Sequence, residues 1–170
     1  MSKGLIAENT LIKQTIVQIE QRLKAGVRES YQKIVVAGMK FAMGEKNNIL
    51  AQLRESENVV EDAVKGAIGL VGVLRRAAKG AMPVDAMIPA GMTLALEALD
   101  FAERIGKIEI DASVIDEATT LFIETISPRL GLTPEKLGEM ASRVQGVMGD
   151  NEKMSKIHGI GREPTQPGAA

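Results

Sequence analysis

The sequence predicts an all-α protein: a long antiparallel helical hairpin, then a bundle of about three shorter helices, then a flexible C-terminal tail. Three observations predict it. Aromatic residues are only 2% of the 170 residues while hydrophobic residues are 45%, so Leu, Ile, Val, Met and Ala must fill the interior, which suits helix-on-helix packing better than a sheet. Apolar positions recur at gaps of three and four along most of the chain. Gly44, Gly80, Pro83, Gly106 and Pro128 fall where those runs end.

The first run is Ile12, Ile16, Ile19, Leu23, Val27, Tyr31, Ile34, Gly38 and Phe41. It reads as one helical stripe of about eight turns, opened by Asn9 or Thr10 as N-cap and stopped at Gly44. Gly26 and Gly38 each weaken it by about 1 kcal/mol relative to Ala, which predicts a bend or a close neighbouring helix there. The second run, Ile49, Leu53, Val60, Val64, Ala67, Val71, Leu74 and Ala78, is interrupted by the polar patch at residues 55–58 and ends at Gly80 and Pro83. Two long helices with a short connection fold back on each other, so residues 1–80 are expected to form the hairpin.

Residues 81–149 are expected to form the smaller bundle. Pro89 can open a helix at its first position, giving a segment from Ala90 to Ile105 closed by Gly106. Glu97, Asp100, Arg104 and Lys107 follow one narrow line, which leaves most of that helix apolar and predicts burial on more than one side. Asp111 caps a helix from Ala112 to Ser127, with Val114, Ile115, Ala118, Leu121, Phe122 and Ile126 facing the core and Pro128 ending it. Thr133-Pro134-Glu135 opens a last helix running to about Met148; Leu137, Met140, Ala141, Val144 and Met148 face inward. Residues 150–170 change to Asn, Lys, Ser, Gly and Pro and are expected to be a disordered tail. Lys107 to Ile110 is the one strand candidate and reads as an extended link.

The net charge of −1 conceals segregation: residues 1–41 carry +4 and residues 81–127 carry −7. Such asymmetry favours attraction between unlike segments, within one fold or head-to-tail between copies, over a uniform grip on nucleic acid. The basic residues of the first helix lack interleaved aromatics apart from Tyr31 and alternate with Glu8, Glu20 and Glu29, so specific nucleic-acid binding is not expected.

No residue set predicts catalysis, a cofactor or a metal. The chain has no cysteine, which removes disulfides, thiolate metal sites and cysteine nucleophiles. His158, the single histidine, lies between glycines in the tail, without partners held near it. The carboxylate groups Glu61-Asp62, Glu97/Asp100/Glu103 and Asp116-Glu117 lack the Glu-x-x-His pattern of helical metal sites and are expected on polar faces. The chain therefore reads as a non-enzyme.

Two surfaces are candidates for interaction. Helix packing is expected at Ile12, Ile16, Ile19, Leu23, Val27 and Ile34, and at Gly66, Gly69 and Gly72, whose spacing of three predicts close backbone approach of another helix; no Gly-Lys-Ser/Thr follows these glycines, so they do not read as a phosphate loop. Residues 63–105 are rich in Ala, Gly, Met and Leu, and Met82, Met87, Met92 and Leu94 offer an adaptable surface for a partner, or for a membrane after rearrangement. The longest stretch without Asp, Glu, Lys or Arg is the eleven residues from Ala86 to Leu96, against roughly 20 for a spanning helix, and the N-terminal apolar run is too short for a secretory signal.

The stretch from Met87 to Glu103, followed by Ile115 to Ile126, resembles small helical virion structural and ejection proteins of tailed bacteriophages. The resemblance covers about a sixth of the chain. It implies a non-enzymatic oligomeric component of a phage particle, internal, at the portal and tail, or associated with ejection, with other virion proteins as partners and the virion as its location. Two further readings stand beside it: a membrane-active helical protein inserting residues 63–105, and a cytoplasmic helical adaptor that binds a protein partner.

Overall fold

The computed structural model describes residues 7–44, 49–136 and 139. Six helices lie in order: α1 (Thr10–Gln21), α2 (Ala25–Ala42), α3 (Ile49–Glu55), α4 (Val59–Ala77), α5 (Val84–Arg104) and α6 (Ala112–Arg129). No strand occurs among the described residues, and Lys107 to Ile110 is a link that is neither helix nor strand, with a bend at Lys107. The all-α expectation holds.

The first periodic run is two helices, not one. After Gln21 the chain tightens, with the Arg22 and Leu23 N–H groups donating to the Ile19 and Glu20 carbonyls at 3.2 Å, and Lys24 is extended. Gly26 stands two residues beyond the break, with open space where a Cβ would be. Periodicity persists across the break because each half has its own apolar face, and a stripe cannot record that the axis turns. The second run also divides, at Ser56-Glu57-Asn58, where the polar patch interrupts the stripe. Asn58 then caps α4 by accepting from the Glu61 N–H, and Glu61 and Asp62 occupy its first turn, where carboxylates favour the positive helix end.

Helix α5 begins earlier than Pro89 suggests. Pro83 is its N-cap, and Pro89 lies inside it. A proline at this position removes one hydrogen bond to the carbonyl four residues earlier, that of exposed Asp85. Ala86, Met87, Ala90, Leu96, Leu99 and Ala102 are almost wholly buried, and this burial outweighs one lost bond. Helix α6 is capped as expected by Asp111, whose carboxylate accepts from the Val114 N–H at 2.9 Å, and it runs through Pro128 to Arg129.

Helix α5 organises the fold. It packs most extensively on α4 and α2, and also on α6, α1 and α3; α6 packs on α4 as well as on α5. A boundary at residue 80 is therefore not observed. The chain divides instead into compact units Met1–Gly131 and Leu132–Ala170, because the apolar circumference of α5 is closed by helices from the first half together with α6. Helices α2 and α4 do touch, yet each makes its larger contact with α5, so they are not a freestanding hairpin. In the second unit, Thr133 caps a helical turn, its hydroxyl accepting from the Lys136 N–H at 3.4 Å. The predicted inward positions Leu137, Met140, Ala141, Val144 and Met148, His158 and the predicted tail lie outside the described residues.

Candidate functional site

Three places combine polar chemistry or unpartnered surface with defined geometry. The first is a carboxylate cradle on α5. Residues 97, 100 and 103 follow one line of that helix, and they hold the chain segment that leads into α1. The Asp100 Oδ1 accepts from the Glu8 and Asn9 N–H groups, both at 2.8 Å. Glu103 accepts from the Asn9 Nδ2 at 2.8 Å and, through its other oxygen, from the Ile110 N–H at 3.0 Å. The Asn9 Oδ1 in turn accepts from the Leu11 and Ile12 N–H groups, so one side chain caps α1 and ties it to α5.

Asp100 is fully buried, and the Arg104 Nε stands 3.1 Å from its Oδ2 in an ion pair that lacks the alignment of a hydrogen bond. The sequence placed this acid on a polar face, whereas it lies inside the fold. The segment at residues 7–9 covers it, and a period-based reading of α5 alone contains no sign of that cover. Glu97 is half-buried, and burial, reinforced by Asp100, pushes its carboxyl up to about 7; the Ala7 N–H and Arg104 oppose this rise. The Asp100 Oδ1 and both Glu103 oxygens are occupied by the chain's own N–H groups, which gives these two carboxyls a structural task, whereas the Glu97 Oε2 is buried without a hydrogen-bond partner. No group of three or more His, Cys, Asp or Glu suited to a metal occurs among the described residues.

The second place is the outer side of α1 and α2. Helix α1 packs chiefly on α5. Only Ile12 of α1 is fully buried; Ile16, Ile19, Leu23 and, on α2, Val27 are half-buried, and Ile34 is buried. Four large apolar side chains remain well exposed, Leu11 (39%), Val17 (48%), Val36 (50%) and Met43 (49%). The sequence-predicted stripe thus serves as core at its two ends and is incompletely covered between them.

The third place is an open groove of about 570 Å³ at the C-terminal ends of α4 and α6. Ile68, Val71, Met87 and Ile126 form an apolar floor, and Arg75, Arg76, Lys79 and Arg129 stand around it. No ion pair engages any of these four cations among the described residues. Lys79 and Gly80 both adopt positive φ, 50° and 78°, as the chain reverses out of α4, with the Gly80 N–H donating to the Arg75 carbonyl at 3.0 Å.

Other predicted site residues fall elsewhere than expected. Met87, Met92 and Leu94 are buried in the core and Met82 is half-buried, so three of these four do not form a surface in this fold. Among the described residues no helix is long and apolar enough to cross a membrane. The glycine stripe is also not a helix-packing seam. A Cβ at Gly66 would meet the Ile49 Cγ2 at 3.2 Å, one at Gly69 would meet nothing within 4 Å, and one at Gly72 only the Arg76 Nη1 at 3.9 Å. Residues three apart drift by about 60° per step around a helix of 3.6 residues per turn, so three such glycines cannot all face one neighbour.

Closer approach than at Gly66 occurs at Gly38 and Gly91. A Cβ on Gly38 would lie 2.6 Å from the Leu94 Cδ1; one on Gly91 would overlap the Phe122 ring and stand 3.1 Å from the Val71 Cγ2. Gly38 was legible as a weak point in the first stripe, whereas Gly91 has no sequence signal apart from lying in an apolar helix. Comparison of the chain with protein-family models, with curated proteins and with solved structures finds no match.

Proposed function

We propose that the chain is a non-enzymatic, self-associating helical component of a bacteriophage particle, acting through helix–helix contacts of α1 and α2. The observation that carries this reading is the exposure of Leu11, Val17, Val36 and Met43 on helices of which one, α1, packs chiefly on a single neighbour. Large apolar side chains on an incompletely covered helix gain free energy from a second apolar surface, and a copy of the same chain supplies one. The charge segregation of the sequence, +4 over residues 1–41 and −7 over residues 81–127, supplies attraction between copies at the same time. The virion setting rests on the resemblance of residues 87–103 and 115–126 to small phage structural and ejection proteins.

Light scattering across a range of concentration tests the association. The expected outcome is a mass above that of one 18.2 kDa chain, which Val17→Asp together with Val36→Asp returns to a monomer without loss of helical circular dichroism. A monomer at every concentration, and absence of the chain from purified particles of cells that express it, would overturn the proposal.

A further inference from the structure

We propose that the groove at the C-terminal ends of α4 and α6 is a binding site for an anionic amphiphile, a single aliphatic chain bearing a phosphate headgroup. Three features of the groove select this chemistry. Arg75, Arg76, Lys79 and Arg129 bring four cations to one opening, and among the described residues no acidic side chain lines it and no ion pair engages them. Guanidinium groups hold phosphate oxygens through charge-assisted, often paired hydrogen bonds. A site for a bare anion would need only this rim.

The floor adds a second requirement. Ile68, Val71, Met87 and Ile126 line the same groove and are buried, whereas Arg76, Lys79 and Arg129 are exposed, so a ligand that reaches past the charged rim meets aliphatic carbon and gains by covering it. The volume of about 570 Å³ lies within the range of small-ligand sites, roughly 300–1,000 Å³. Gly72 keeps one wall low, since a side chain there would enter space now bounded only by the end of Arg76. Among the described residues no aromatic side chain lines the groove, so they offer no stacking platform of the kind through which single-stranded nucleic acid or a nucleotide base is held.

The test uses the full chain with dodecyl phosphate below its micelle concentration, followed by native mass spectrometry and titration calorimetry. The expected result is one dodecyl phosphate per chain, with inorganic phosphate and the uncharged dodecyl maltoside each at least about tenfold weaker, a difference of about 1.4 kcal/mol. Arg75→Gln with Arg129→Gln should weaken dodecyl phosphate by at least about tenfold, and Gly72→Leu should weaken it without changing the charge. Lys13→Gln with Lys33→Gln, which removes two cations far from the groove in sequence, should leave it unchanged. Circular dichroism of each variant separates loss of the site from loss of the fold, and Arg76→Gln with Lys79→Gln, both at exposed positions, repeats the test should the first pair unfold. Four outcomes overturn the proposal: inorganic phosphate as strong as dodecyl phosphate, dodecyl maltoside as strong, equal loss in the Lys13/Lys33 variant, or an acidic helical peptide that binds the groove where dodecyl phosphate does not.

Discussion

At the scale of single residues, the most consequential groups are the carboxyls of α5. Asp100 is the only fully buried acid among the described residues, and it is tolerable because two backbone N–H groups and Arg104 surround it. Asp100→Ala leaves those N–H groups without their acceptor and should destabilise the fold by about 2–3 kcal/mol; urea unfolding reads the loss, and faster hydrogen exchange at residues 8–12 places it at the start of α1. Glu97 next to it makes stability depend on pH. Its carboxyl, at about 7 in the fold against an ordinary 4.5, keeps its proton where the unfolded chain has already released one. This contribution is complete below about pH 4.5, declines as pH rises to about 7, and is absent above. Because the side chain is partly open to water, we assign it about 1–2 kcal/mol. Glu97→Gln copies the protonated form, so it should unfold at higher urea than the parent at pH 8 and show a smaller change between pH 5 and pH 8. An unchanged pH dependence in that variant would assign the effect to another group. Tyr31 is a quieter case: buried, 2.8 Å from the Thr93 hydroxyl, its phenol is pushed up to about 12 by burial and stays neutral throughout this range.

At the scale of elements, glycines of similar appearance in sequence have opposite roles. Gly91 lets α5 lie against Phe122 of α6 and Val71 of α4, and Gly91→Ala should cost about 1–3 kcal/mol through overpacking. Phe122→Leu in the same chain should recover part of that loss in urea unfolding, since it withdraws the ring. Gly69 faces open space in the middle of α4, and Gly69→Ala should raise stability by about 0.5–1 kcal/mol because alanine is the better helix former. A destabilised Gly69→Ala would mean that a neighbour approaches α4 there. The break between α1 and α2 is an element-scale feature too: Lys24 caps α2 without a side-chain hydrogen bond. Lys24→Ser supplies a capping oxygen and should stabilise by about 0.5–1 kcal/mol in thermal unfolding.

At the scale of the whole molecule, one buried helix joins the two halves of the chain. Helix α5 is apolar around most of its circumference, and α2, α4 and α6 cover different sides of it. A fragment ending at residue 80 would expose the faces of α2 and α4 that α5 covers, and a fragment beginning at residue 81 would expose α5 itself. Neither should give cooperative thermal unfolding by circular dichroism, whereas mixing the two should restore it. The exposed side of α1 and α2 and the cationic groove of α4 and α6 belong to this same unit, on different helices, so association and ligand binding can be altered separately by the substitutions named above.

The helical class, the caps at Asn9 and Asp111, the polar interruption before α4, half of the buried positions of α4 and most of those of α6 were legible in the sequence, because period, cap and turn chemistry act over a few neighbouring residues. Distance along the chain hid the rest. That Asp100 is enclosed, that Met87, Met92 and Leu94 are core, that Gly91 and not Gly69 meets another helix, and that Arg75, Arg76 and Lys79 share an opening with Arg129 all depend on which helices lie side by side. An amphipathic stripe states that a face will be covered; the identity of the cover is a property of packing, in which every helix competes for every apolar face, and only the tertiary structure decides that competition.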